Sequence, residues 1–168
     1  MSEKRFCIVG LGEVLWDCLP GGNRLGGAPG NFAYIAAQLG DRGIIASRVG
    51  NDADGKEIVE RLRSAGVETD SIQVDEDHQT GTVKVELDDG QPSYEIRENA
   101  AWDFLELTAD LRDLALQCDA VCFGTLAQRS TISRKSIHEF LSLTTISTKR
   151  VFDINLRQSY FSKDIIKP

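Results

Sequence analysis

The sequence has little of what several large function classes require. Basic residues are in deficit: 19 Lys and Arg against 26 Asp and Glu give a net charge of −7, with the acids spread along the whole chain. Nonspecific nucleic-acid binding needs clustered cations that displace counterions from phosphate, so no nucleic-acid partner is expected. A local basic site for a small anion stays open. Long hydrophobic runs are also missing. The longest apolar stretch near the start, residues 6–19, carries Glu13 and Asp17. It falls short of the ~20 residues a membrane-spanning helix needs, and a secretory signal would tolerate neither acid in its apolar region. No membrane partner is expected, and the cytoplasm is the expected compartment. Cys7, Cys18, Cys118 and Cys122 show no CxxC spacing, and His78 and His138 lie far from them in sequence. Zinc ligation therefore has weak support. Buried reduced thiols among neighbours such as Ala120, Val121 and Phe123 are the expectation. There is no low-complexity tract, linker or internal repeat.

What is present fits one globular domain. The chain has 168 residues, 41% hydrophobic and 27% charged, enough to bury an ordinary core without staples. Phe6-Cys-Ile-Val-Gly is a short apolar run ending in glycine, which predicts a buried parallel strand. Residues 13–19 continue in a strand-like manner. Gly21, Gly22, Gly26, Gly27 and Gly30 form the densest glycine cluster, a loop by composition. Pro29 suits the first turn of a helix, and Phe32, Ile35, Ala36 and Leu39 follow at helical spacing up to Gly40. Residues 44–49 predict a strand. Asp54 can cap a helix in which Ile58, Val59, Leu62 and Ala65 share a face. From Ser71 to Arg97 the period falls to two: Val83, Val85 and Leu87 alternate with Thr82, Lys84 and Glu86. Asp89-Gly90 then turns the chain into an antiparallel return over 92–97. Beyond it the alternation of helix (108–117, 131–143) and strand (120–123, 150–154) resumes, and 160–168 resembles the start of another helix. About four core strands under helices imply a parallel α/β sheet, and the antiparallel insert implies a small β-lid projecting from it.

Two glycine signals compete for a ligand. Gly10-Leu11-Gly12-Glu13-Val14-Leu15 begins like a dinucleotide fingerprint. However, Leu15 replaces the third glycine, and an acid sits where pyrophosphate would need N–H donors. A nicotinamide-dependent oxidoreductase thus rests only on a failed match. Gly26-Gly27-Ala28-Pro29-Gly30-Asn31 lies directly before an amphipathic helix, where free backbone N–H groups converge. The paired glycines let a ligand approach the backbone, and Asn31 offers both a donor and an acceptor for sugar hydroxyls. Asp17, flanked by Trp16, can accept two hydroxyl hydrogen bonds from the opposite side. On spacing alone, a structural βα turn is about as probable as a binding loop.

Four segments occur in a telling order: Gly12-Glu13-Val14-Leu15-Trp16-Asp17; the Gly26–Asn31 loop with its helix to Leu39-Gly40; Val49-Gly50-Asn51-Asp52-x-x-Gly55; and Asp153-Ile154-Asn155-Leu156-Arg157. Together they resemble the ribokinase-like PfkB carbohydrate kinases, most closely the fructokinase branch, over essentially the whole chain. The resemblance implies a parallel α/β core with a β-lid (segments around 13–25 and 71–99), a sugar held between them, and ATP with Mg2+ as phosphoryl donor. Asp17 is similar to the family's sugar-hydroxyl acceptor. Gly26 and Gly27 would supply close backbone contacts, and Asn31 a side-chain hydrogen bond. Arg157 matches an arginine that faces substrate or transferring phosphate, a task that suits a guanidinium. Tyr94 and Arg97, at the end of the lid hairpin, are expected to reach the sugar from above. Asp153 and Asn155 are expected to shape the strand end. The family's Asn-x-x-Glu and Gly-Ala-Gly-Asp motifs, the latter holding the general-base aspartate, fall after the region matching Arg157 and do not occur here. The resemblance therefore implies the N-terminal portion of one domain, inactive alone, with its base expected beyond Pro168. The alternative is a non-catalytic fragment that binds a sugar or forms a homodimer through its lid.

Overall fold

The computed structural model describes residues 5–88 and 91–166, with side chains omitted for 85–88 and 91–93. In chain order the first part contains β1 (Cys7–Leu11), β2 (Leu15–Leu19), β3 (Gly22–Gly26), α1 (Ala28–Gln38), β4 (Arg42–Gly50), α2 (Ala53–Ser64) and β5 (Ile72–Asp75). Then follow β6 (Gly81–Asp88), β7 (Gln91–Ile96), α3 (Ala109–Gln117), β8 (Ala120–Gly124), α4 (Thr131–Leu143), β9 (Lys149–Asp153) and the short α5 (Lys163–Ile166). Two 3-10 turns, Ala101–Phe104 and Leu126–Gln128, join lid to core and β8 to α4.

Five strands form a parallel sheet in the order β5-β4-β1-β8-β9. Both of its faces are covered, as the pattern of β4 shows. Ile44 packs with Val9, Trp102, Leu111 and Phe140 on one side, and its neighbour Ile45 packs with Ala33, Ile58 and Leu62 on the other. A strand wet on neither face has no polar alternation to display, so it reads as a continuous apolar run. Helix α1 lies tight against β1, because a Cβ at Gly10 would overlap the Pro29 carbonyl.

The second sheet, β3-β2-β6-β7, is mixed: β2 pairs antiparallel with β3 and parallel with β6, and β6 pairs antiparallel with β7. This is the lid. It begins later than the period-two pattern implies, because residues 72–75 pair in parallel with β4 and belong to the core sheet. That edge strand makes the core five strands instead of four. The glycine-rich stretch 22–26 is a strand and not a loop, held by cross-strand bonding to β2. The expected Asp89-Gly90 turn falls outside the described residues. Helix α2 is capped by Asp52 and not Asp54. Asp52 is extended (φ −124°) and accepts the Gly55 N–H at 2.8 Å, whereas Asp54 already lies in the first turn. Among the described residues no helix is long and apolar enough to cross a membrane.

Candidate sugar-binding cleft

The parallel sheet and the lid enclose a cleft of about 450 Å³. In open α/β sheets, ligands sit outside the carboxyl ends of the strands, and this cleft is built from such ends. Glu13 arrives on the loop after β1, Gly27 and Asn31 at the start of α1, and Asn155 and Arg157 just past β9. Asp17 and Arg24 come from β2 and β3, and Tyr94 from β7.

Asp17 sits on β2 directly across from Arg24 in the β2–β3 pair. It is half-buried, and burial lifts its carboxyl above the usual aspartate range while the Arg157 guanidinium pulls the other way. Arg157 lies over the Tyr94 ring, 5.1 Å from its centroid, so the lid aromatic and the cation after β9 share one wall. Gln158 reinforces this junction by donating to the Tyr94 carbonyl at 2.5 Å.

The start of α1 contributes a further part of the lining. Gly27 occupies the N-cap position at φ 101°, a left-handed conformation that glycine adopts without strain, and provides no side-chain cap. Its Cα also packs on the Glu13 backbone, where a Cβ would collide with the Glu13 carbonyl. Helix α1 has no acidic residue in its first turn, so its N-terminal dipole is directed at the cleft without a neutralising side chain of its own. Gly26 is buried beneath Asp17, and a Cβ there would come within 2.5 Å of Asp17 Oδ2.

Asp17, Gly27, Asn31, Tyr94 and Arg157 therefore line one cleft, with Gly26 packed against Asp17. Arg97 is placed elsewhere. Its Nε donates to Thr82 Oγ1 at 3.1 Å, another nitrogen donates to Gln79 Oε1, and its carbonyl accepts from Arg129. These contacts tie the end of β7 to the start of β6 and hold the guanidinium off the cleft wall. Asn155 lines the cleft while its backbone is bonded both ways to the Thr125 hydroxyl. Asp153 is not among the lining residues, and its carbonyl accepts from the Thr125 N–H.

Two charged lining residues stand outside the set expected from sequence: Arg24 and Glu13. Glu13 is fully buried, and burial pushes its carboxyl up to about 7, against the pull of the Glu13, Ala28 and Ala127 backbone N–H groups. The available signal is an acid inside an otherwise apolar run, a placement that costs stability unless it is used. The four cysteines are free, with Cys7, Cys118 and Cys122 buried and Cys18 partly so. Burial pushes the Cys118 and Cys122 thiols up to about 11 and about 12.

The sequence pattern of the pfkB family of carbohydrate kinases matches residues 12–164. The chain belongs to this family. A sugar kinase of Pyrococcus horikoshii, itself uncharacterized, is 32% identical over 132 residues, or 79% of this chain and 43% of that protein. A fructokinase of Salmonella typhimurium is 31% identical over 155 residues, or 88% of this chain and 50% of that protein. The P. horikoshii structure in complex with ATP superposes with a TM-score of 0.81 at 29% identity, covering 95% of this chain and 58% of that one. The fold is accordingly ribokinase-like, and the chain spans about half the length of the curated relatives it matches.

Proposed function

We propose that this chain forms the sugar-holding portion of a kinase that transfers the γ-phosphoryl group of ATP to a hydroxyl of fructose or a related sugar. The observation that carries the reading is that Asp17, Gly27, Asn31 and Arg157 line one cleft between the core and lid sheets. A polyol needs acceptors and donors facing each other at short range. The carboxylate accepts from paired hydroxyls, and the Asn31 amide both donates and accepts. The Arg157 guanidinium suits the remaining task, because phosphoryl transfer is mostly positioning and stabilisation of charge on the phosphoryl oxygens. Tyr94 lines the cleft from the lid side, with the Arg157 guanidinium over its ring.

ATP is the expected phosphoryl donor and Mg2+ its expected ion. Among the described residues no group of three or more His, Cys, Asp or Glu is arranged to hold a metal, so no step is assigned to the ion through this chain. The general base is likewise assigned to sequence following Pro168 in the family pattern. Calorimetric titration of the chain with fructose, ribose and adenosine tests the sugar site. Binding of a sugar that is lost in Asp17→Asn supports it, and no binding of any of them overturns it. Phosphorylation of a sugar by residues 1–168 alone would place the base inside this chain and refute its assignment beyond Pro168.

A further inference from the structure

Glu13 is anomalous within the cleft it helps to line. The residue is 1% exposed, and its Oε2 is buried without a hydrogen-bond partner among the described residues. Structural work accounts for part of this carboxyl, since the Ala28 N–H at the start of α1 and the Ala127 N–H of the following 3-10 turn both act on it. The other oxygen is left over. A buried polar atom without a partner is costly, and one beside a ligand cleft marks a partner that the folded chain does not itself supply.

Resting on the reading of the cleft as a polyol site, the geometry points to Glu13 as a second sugar-binding carboxyl, its Oε2 bonded to a ligand oxygen at the cleft floor. Asp17 then accepts hydroxyl hydrogen bonds at the lid wall, and Glu13 donates one from beneath. Donation requires the protonated acid, and burial already holds this carboxyl at about 7. The groups facing it decide how it titrates. Asp153, at the end of β9, opposes its ionisation, and Cys122 on β8 stays a thiol with its own pKa at about 12. Asp17, Arg24, Tyr94 and Arg157 line the same cleft, to which α1 adds only the non-titrating Ala28 and Asn31. A sugar that displaces water from the floor makes the ionised form costlier still, so the bound pKa exceeds the free one. Affinity is then highest below pH 7 and falls as pH rises above it, with a proton taken up on binding.

The test is calorimetry of the chain with fructose from pH 6 to 8.5, in two buffers of different ionisation enthalpy. Affinity should fall by about tenfold per pH unit above 7, with matching proton uptake. Glu13→Gln should remove both the slope and the uptake, and Glu13→Ala should weaken binding at pH 6 by about tenfold. A flat profile with no proton uptake in the wild-type chain overturns this role for Glu13 and leaves the sugar site standing. No response to fructose at any pH overturns the sugar site and this inference together. The wild-type profile decides the matter even if a Glu13 variant fails to fold.

Discussion

The core sheet and the lid sheet treat their acids differently. Glu13 follows the carboxyl end of a core strand and is buried at the edge of the cleft, near the start of α1 and the turn at Leu126–Gln128, with its ionisation opposed by burial. Asp17, four residues on, has crossed into the lid, where one face meets the cleft and two arginines stand nearby. The same residue chemistry thus acquires two electrostatic characters from the number of layers that cover it. A binding cleft between a two-sided and a one-sided sheet comes with two different acids.

The comparison breaks most severely at the joint between the sheets. Arg129 is enclosed by Trp102 and Tyr160, pairs with both oxygens of Asp103 at 2.9 and 2.7 Å, and donates to the Arg97 carbonyl on the lid. Arg129→Ala leaves a buried carboxylate unpaired, and urea unfolding should register a loss of about 3–5 kcal/mol. The next effect has the opposite sign. The folded pKa of Glu13 lies above its unfolded value of 4.5, so its contribution is fully present below that value and lost as pH rises through about 7. Glu13→Gln should therefore stabilise the chain at pH 8 by on the order of 3 kcal/mol and leave it little changed at pH 4, measured as the pH dependence of Tm.

Asp17→Asn sharpens the contrast from the lid side. It should weaken fructose binding by about ten- to a hundredfold, as expected for lost hydrogen bonds to a charged group, while Tm holds or rises slightly. The smallest effect is at the junction of lid and core. Asp52 caps α2 and also accepts the Thr80 N–H at 2.8 Å and the Thr80 hydroxyl at 2.6 Å, where the lid departs from the core. Burial alone would raise its pKa, but the hydrogen bonds from Thr80 and Gly55 outweigh burial and lower it. Asp52→Ala should cost about 1–2 kcal/mol near neutral pH. Because the folded pKa is depressed, that contribution is present above the unfolded pKa and disappears as pH falls through the folded one.

Local signals carry most of the fold. Ile44 and Ile45 announce a strand buried on both faces, and helical spacing locates α1, α2 and α4 closely. What escapes depends on partners distant in sequence. Residues 22–26 look like a loop because glycines and polar residues dominate, and only pairing with β2 makes them a strand. Residues 72–75 share the alternation of the lid but add to β4, a choice made by space beside the core sheet. In the cleft, Asp17, Asn31 and Arg157 are legible because motif and chemistry agree. The place of Arg97 at the end of the hairpin points to the sugar, while its direction is set by Thr82 and Gln79. Glu13 reads locally as the acid that spoils a glycine fingerprint, since burial by elements distant in sequence cannot be read from two flanking residues.

Trp16 adds a consequence for the placing of Asp17. Its ring is buried in the core, its Nε1 donates to the Asp54 carbonyl at 3.1 Å, and Arg61 covers its face at 4.8 Å. The strand that bears Asp17 is thereby fastened to α2, although it hydrogen-bonds within the lid sheet between β3 and β6. Asp17 therefore takes its place from a helix of the core as much as from the sheet to which its own strand belongs.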